Sequence, residues 1–498
     1  MNVNPITRLD YPDPDVIRVE DTYYMVSTTM HFMPGCEILQ SFDLVHWEHV
    51  TYVYETLDHT DAQQLKSGQN IYGQGMWAAS LRYHEGRFYI CFVANDTRKT
   101  YLYTSEKIDG PWKKQLIEGF YHDGSLLFDE DGRNYIVYGN DEIWITELNE
   151  DLTAPKKDGL HRLLVSDHKN PELGYEGSHI QKINGYYYIF LIHSLRDRWM
   201  RTEACFYSDS LEGEFTGGDV LCDDRGYCGQ GVAQGGIVDT PDGKWYAMLF
   251  QDSGAVGRIP ILVPVTWKDH FPFFGQNGHV PEEIEVHSTR PGYIYQPLVG
   301  SDDFCNGLLP RWQFNHDPDP RYYHLDALQG TYTITTREVC TELTQAVNTL
   351  TQRMSYPSCA AEVTVDASAL KEGDVAGLCA LQSCYAAVGI TKHHGKYEVL
   401  MLDKKEDGIL DMTEGTVVES HQMDFRLEAD FCNMKDEARC YYRVNKGDWL
   451  PIGTVHKLYF KLDHFTGCRF GLFCYAAEET GGSACFRDFK YYDVDEIS

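Results

Sequence analysis

The sequence predicts an all-β protein: a five-bladed β-propeller over residues 1–297, followed by a β-sandwich over residues 298–498. Three observations predict it. A hairpin unit recurs five times in the first part. The C-terminal part holds alternating apolar stretches separated by short turns. The composition is rich in Gly (43), Tyr (34) and Phe (23) and has no heptad region rich in Ala, Leu, Glu and Lys, which favours strands and turns over helix bundles.

Each repeat has a polar or aromatic lead residue, one or two small residues, an apolar strand, a tight turn and an aromatic-rich strand. The copies lead with Asp13, Trp77, Asp123, Glu176 and Ala233. Glu85-Gly86, Asp131-Gly132, Asn184-Gly185 and Asp242-Gly243 mark the turns and read as type I′, which needs positive φ; Glu20-Asp21-Thr22 is a weaker signal. Trp77 to Gly86, Asp123 to Gly132, Glu176 to Gly185 and Asp13 to Thr22 each span nine residues; Ala233 to Gly243 spans ten, and Gln234 to Gly243 nine. The hairpins start roughly 45 to 65 residues apart, near a propeller-blade period.

In a propeller the innermost strands line a central channel, so residues at equal register converge on the axis. Three of the five lead residues, Asp13, Asp123 and Glu176, are acids. Asp15 is a rival to Asp13, but its slot holds small residues in the other repeats (Ala79, Ser125, Ser178, Gly235), which favours Asp13. Acids gathered at one channel mouth repel each other, which raises at least one pKa. Turn formation and ion binding are the bland alternatives for each acid taken alone.

Paired carboxylates beside aromatic walls suit glycoside hydrolysis: one protonates the leaving oxygen while the other activates water or attacks carbon. Trp77 leads the second repeat and Phe32 lies in the loop after the first hairpin. Both are candidate platforms for a sugar face, with ordinary packing as the alternative.

The stretches NPITRLDYPDPDVIRVEDTYYMVSTT, GMWAASLRYHEGRFYICF, DGSLLFDEDGRNYIVYG, YEGSHIQKINGYYYIF, GGIVDTPDGKWYAMLFQD and GRIPILVPVTWKDHFP resemble glycoside hydrolase family 43. The resemblance implies a five-bladed propeller and inverting hydrolysis of β-D-xylosides or α-L-arabinofuranosides. It assigns Asp13 as general base, Glu176 as general acid and Asp123 as the carboxylate that tunes and positions the acid. It adds Arg258 as a partner of the base and the terminal sugar. Two departures stand out. Relatives often have Pro after Trp-Ala, where this chain has Trp77-Ala78-Ala79. They commonly carry His before Gln-Gly-Gly, where this chain has Ala233. That His often lies near an axial water network or calcium ion; with Ala233 in its place no essential metal or other cofactor is expected, and Gln234 takes part of the polar role.

After residue 297, the stretches TYTITT, CAAEVTVDAS, GLCALQ, YAAVGIT, KYEVLMLD, LYFKLDHF and FGLFCYAA read as sandwich strands. With LTQRM and GDVAGLCALQ, this part resembles the sandwich attached to many family 43 β-xylosidases, in which a loop can close the active-site pocket. No Ser/Pro/Gly-rich linker precedes it, which favours a packed accessory domain over an independent carbohydrate-binding module.

The net charge is 43 − 75 = −32, which disfavours nucleic acid and anionic membranes. No apolar run of about 18 residues occurs, and Met1–Asp10 shows no signal-peptide pattern. Fifteen cysteines without CxxC pairs, several in apolar strands, fit free thiols in the cytoplasm; Cys222 and Cys228 are the pair that could bridge in an oxidising compartment. The expected activity is exo-hydrolysis of terminal β-D-xylose from short oligosaccharides, with α-L-arabinofuranosidase or dual action as the alternative. A non-catalytic sugar-binding propeller is the reading from a different class. A homo-oligomer is compatible with the sequence.

Overall fold

The computed structural model describes residues 2–493; Met1 and residues 494–498, the outer ends of the two expected domains, lie outside the described residues. Five antiparallel units follow one another, four of them with four strands and the fifth with its inner strand in two pieces. The first comprises Asp15–Val19, Thr22–Val26, Gly35–Ser41 and Glu48–Tyr54; the second runs from Met76–His84 to Lys113–Ile117; the third from Ser125–Phe128 to His161–Ser166; the fourth from Glu176–Ile183 to Thr216–Leu221. The fifth joins Val232–Ala233 and Ile237–Asp239, both paired to Trp245–Asp252, with Arg258–Lys268 and Phe271–Phe274.

The blades stack face to face, so their middle strands are buried on both sides. Ile189 packs toward Val137 of the third blade, while its neighbour Phe190 packs toward Ile261 of the fifth. Met25 and Leu262 share a cluster that closes the ring between blades one and five. Outside the blades, Asn2–Val3 pairs with Glu283–Ile284, and the Asn4 side chain donates to the Leu262 and Pro281 carbonyls at 2.9 and 3.0 Å. These bonds tie the two ends of the ring together.

Two of the expected hairpin turns differ from type I′. Glu85-Gly86 and Asn184-Gly185 have positive φ at both residues (48° and 79°; 50° and 86°). At Asp131-Gly132 and Asp242-Gly243 the glycine alone is left-handed, at 80° and 81°. There the loop is one residue longer: Asp129 bonds across to Arg133 and Thr240 to Lys244, and the glycine N–H returns to Asp129 or Thr240. The extra residue lets a right-handed turn precede a single left-handed glycine.

The C-terminal part is a two-sheet sandwich. One sheet contains Leu350–Arg353, Arg469–Tyr475, Val375–Leu381, Ala386–His393 and Lys396–Lys404; the other contains Thr331–Thr335, Ser483–Asp493, Ser358–Asp366, Gln422–Asp430 and Glu437–Val444. Leu378, Val388, Phe425 and Phe486 lie in the core between them, which also takes in Ala255, Val256 and Ile259 of the propeller. LYFKLDHF, expected as a strand, is instead the loop from Leu458 to Phe465. Leu458 is buried in the sandwich core, while Phe460, Leu462 and Phe465 line a cavity shared with the propeller, so an alternating pattern arises without strand pairing.

The junction is polar and buried. Arg353 pairs with Glu37 at 2.8 Å, donates to the Asp10 carbonyl at 2.9 Å and lies over the Tyr11 ring at 4.1 Å. Asp10 holds three segments: its Oδ1 accepts the Arg258 N–H and its Oδ2 the Gly467 N–H, both at 2.8 Å, while its own carbonyl receives Arg353.

Candidate active site

Four of the five lead residues converge, and in the fifth blade Gln234 takes the place expected of Ala233. Asp13, Trp77, Asp123, Glu176 and Gln234 line one cavity of about 540 Å³ together with His122, Arg258 and, from the sandwich, Met434, Phe460, Leu462 and Phe465. The inner strands are distorted at these residues. Pairing shifts between Trp77 and Ser80 and between Glu176 and His179, and the fifth blade's inner strand breaks at Gln234. Asp13, Asp123 and Gln234 have φ of 52°, 48° and 62°, and Gly177, next to Glu176, 66°. Left-handed backbone costs a non-glycine residue about 1–3 kcal/mol and gathers at functional sites. At Gly177 a glycine is required twice over, because a Cβ there would stand 2.7 Å from the Gln234 side chain.

Asp13 is almost buried. Its Oδ1 accepts Arg258 Nη1 at 2.9 Å and its Oδ2 the Thr28 hydroxyl at 2.6 Å. Thr28 is itself fixed by the Ala78 N–H at 2.9 Å. Arg258 Nε and Nη2 are buried without a protein partner, and Phe465 covers the guanidinium at 4.3 Å. Glu176 Oε2 accepts Asn140 Nδ2 at 2.7 Å and lies 3.5 Å from His122 Nε2. Asp123 Oδ2 accepts the Gly177 N–H at 3.0 Å and lies 3.6 Å from the same His122 nitrogen. Burial first, and then the charges of Glu176 and Asp13, raise the Asp123 pKa against the pull of His122. The charge of Asp123 above all, helped by Glu176, raises that of His122 and favours an imidazolium between the two acids.

Trp77 lines the cavity with its indole Nε1 buried and unpartnered, 5.5 Å from Phe465. Gln234 is held by its backbone, whose N–H donates to buried Glu203 at 2.7 Å. Phe32 is the exception. It is 1 % exposed, stands outside the cavity wall and lies against the Arg469 guanidinium at 3.4 Å. The expectation of a sugar platform is therefore corrected to packing at the domain junction, where an aromatic ring shields a buried cation. Asp15, set aside by register, is engaged below the cavity: Arg82 at 2.8 Å, His179 at 3.1 Å and the Leu81 N–H at 2.7 Å.

Register found the acids but missed their supports. His122 had a signal, standing directly before Asp123. Thr28 and Asn140 had none beyond their places at the ends of hairpin strands. Phe465 was hidden in the stretch read as a strand.

The axis does not suit a calcium ion. Ala233 offers no ligand, and both oxygens of Asp15 are taken. The Arg82 guanidinium spans the axis, reaching Asp15, Ser125 Oγ at 2.7 Å and the Ile180 carbonyl at 3.2 Å, so a cation already stands there. Among the described residues, His122, Asp123 and Glu176 are the group with ligand atoms close enough for a metal, within 4.8 Å of one another; Glu176 Oε2 and Asp123 Oδ2 there already accept Asn140 Nδ2 and the Gly177 N–H.

A five-bladed propeller with three carboxylates and a buried arginine in one cavity defines a glycoside hydrolase. The sequence profile of glycosyl hydrolases family 43 matches residues 3–272, and that of the β-xylosidase C-terminal concanavalin A-like domain matches residues 301–492. The chain belongs to glycoside hydrolase family 43. It is 26 % identical to a β-xylosidase of Formosa agariphila, over 99 % of this chain and 89 % of that protein. It is 24 % identical to a non-reducing end α-L-arabinofuranosidase of Bacteroides ovatus, over 82 % and 79 %. Among solved structures, the bifunctional GH43-CE protein of Bacteroides eggerthii is similar with a TM-score of 0.93 and 42 % identity; the match covers all of this chain and 64 % of that one.

Proposed function

We propose that the chain is an inverting exo-β-xylosidase acting on short xylo-oligosaccharides. The observation that carries this reading is the convergence of Asp13, Asp123 and Glu176 from three blades, with Arg258 seated on Asp13. Asp13, oriented by Thr28 and Arg258, takes a proton from water as the water oxygen attacks the anomeric carbon. The bond to the leaving oxygen breaks with its electron pair, and Glu176, oriented by Asn140, protonates that oxygen. Asp123 and His122 hold the charge around Glu176. Trp77 and the free nitrogens of Arg258 face the terminal sugar. Phe465 and its loop shield this end from water, which suits release of single sugars.

The name of the Formosa relative favours xylose. That of the Bacteroides ovatus relative supports a second reading, α-L-arabinofuranosidase or dual action. All fifteen cysteines are free, which supports a reducing compartment such as the cytoplasm. Rates on p-nitrophenyl β-D-xyloside and α-L-arabinofuranoside test the specificity, with the xyloside expected to be faster. Proton NMR of the first sugar released tests the stereochemistry: the inverted anomer is expected, and a retained anomer overturns the roles of Asp13 and Glu176.

A further inference from the structure

Below the acids the inner strands of four blades meet again, and one side chain joins them. Arg82 stands on Met76–His84, five residues after Trp77. Its Nη1 donates to Asp15 Oδ2 at 2.8 Å, and Asp15 follows Asp13 by two residues. Its Nη2 donates to Ser125 Oγ at 2.7 Å and its Nε to the Leu126 carbonyl at 2.8 Å, two and three residues after Asp123. Nη2 also donates to the Ile180 carbonyl at 3.2 Å, four residues after Glu176. Asp15 adds a second link to the fourth blade, because its Oδ1 lies 3.1 Å from His179 Nδ1. Burial opposes the charge on Asp15, but Arg82 and then His179 hold its carboxyl below the ordinary carboxylate range. Each acid thus has a residue of its own strand, at most four positions away, fastened to one guanidinium. Arg82 also lines a second cavity, of about 420 Å³, at the hairpin-turn end of the five inner strands, with Ile17, His84, Phe128, Ile183 and Asp239.

We propose that Arg82 is a positioning residue for hydrolysis: its planar fork sets the spacing of Asp13, Asp123 and Glu176, so that all three acids shift when it is removed. The inference rests on the roles proposed for these acids. The strand ladders alone do not place the carboxylates. Asp13 and Asp123 stand just before their paired strands begin, and pairing shifts between Glu176 and His179. A guanidinium suits the task, because its N–H donors lie in one plane and point in fixed directions. Arg82 spends them on the strands of three other blades. A lysine there would be a point charge on a flexible stem, able to neutralise Asp15 without spanning the same partners. The effect on rate is large because a displacement of about 1 Å between reacting groups costs about 10²-fold.

The test uses the full chain with two substrates, xylobiose and p-nitrophenyl β-D-xyloside, and circular dichroism to confirm folding. Arg82→Lys keeps the charge and loses the fork; its kcat should fall about tenfold on both substrates alike, with KM within about twofold of wild type. Arg82→Ala should fall about 100-fold and leave a gap beside Asp15 that opens to the second cavity. Guanidinium chloride at about 20 mM, too dilute to unfold a domain, should then raise the Arg82→Ala rate about tenfold, whereas sodium chloride or urea at the same concentration should not. The proposal is overturned if folded Arg82→Lys keeps a wild-type kcat, if its loss is confined to xylobiose or to KM, or if guanidinium gives folded Arg82→Ala no more than sodium chloride does. Where Arg82→Ala does not fold, Arg82→Lys carries the test; failure of Arg82→Lys to fold would assign Arg82 to the core alone and overturn the proposal too. A wild-type enzyme that cleaves no pentoside, or releases the retained anomer, brings down the roles of the acids, a result distinct from an Arg82 variant that runs at the wild-type rate.

Discussion

Replacing Asp10 by Asn should loosen the domain junction and the active site together. Both carboxylate oxygens of Asp10 accept backbone N–H groups, from Arg258 and Gly467, at 2.8 Å. An amide has one acceptor oxygen, so one of these bonds is lost and an NH₂ is turned toward an N–H. A hydrogen bond to a charged group is worth about 1.5–3 kcal/mol, and a buried unsatisfied donor costs about 1–3 kcal/mol. The two overlap, so a loss of about 2–4 kcal/mol is expected. There is no room to relax: Cβ atoms on Gly257 and Gly467 would stand 2.3 and 2.7 Å from Asp10. Release of Gly467 also frees Phe465, whose contact with Arg258 at 4.3 Å is worth about 0.5–2 kcal/mol. That converts to a fall in kcat/KM of about 2- to 30-fold. Urea denaturation and pentoside kinetics on the same preparation read both effects. A wild-type urea midpoint with wild-type kcat/KM would refute the reasoning.

Glu176→Ala should lower turnover of xylobiose about 10²- to 10⁴-fold yet retain far more activity on p-nitrophenyl xyloside, whose phenolate needs little protonation; Asp13→Ala should lose both alike, and kinetics on the two substrates checks this. Burial opposes ionisation of Glu37, but Arg353 and His49 hold its pKa down to about 2 from an ordinary 4.5. Its stabilising contribution is therefore present above pH 4.5 and lost as pH falls toward 2; at about 1.4 kcal/mol per unit it is about 3–4 kcal/mol, and urea midpoints should fall less steeply with acid in Glu37→Gln than in wild type. With Arg82 on the axis, activity should survive dialysis against EDTA; a large loss restored by Ca²⁺ would reveal ligands outside the group at His122.

The propeller was legible because its turns and lead residues repeat at a fixed register, and register carries geometry: residues nine positions before a turn face the axis in every blade. That reasoning placed Asp13, Asp123 and Glu176 together and separated Asp13 from Asp15. It could not reach Asp10, Thr28 or Asn140, whose partners are remote in the chain and whose roles depend on single hydrogen bonds. Phe32 misled because an aromatic beside a glycine-containing loop looks the same whether it faces a sugar or a buried arginine. LYFKLDHF misled for a related reason: alternation reports two different faces, not the presence of a neighbouring strand.

The bond between Arg258 and Asp13 joins residues 245 positions apart, and it forms where the fifth blade meets the first. The proposed catalytic centre is thus a product of ring closure, among the most non-local contacts in the propeller. Non-local contacts carry a large loop-closure entropy and form slowly. Neighbouring blades can bury their middle strands against one another before the ring shuts, so a refolding chain passes through compact forms that cannot hydrolyse anything. The return of activity would then time the closing of the circle rather than the collapse of the chain, and substrate bound across the seam would act as a staple on its two ends.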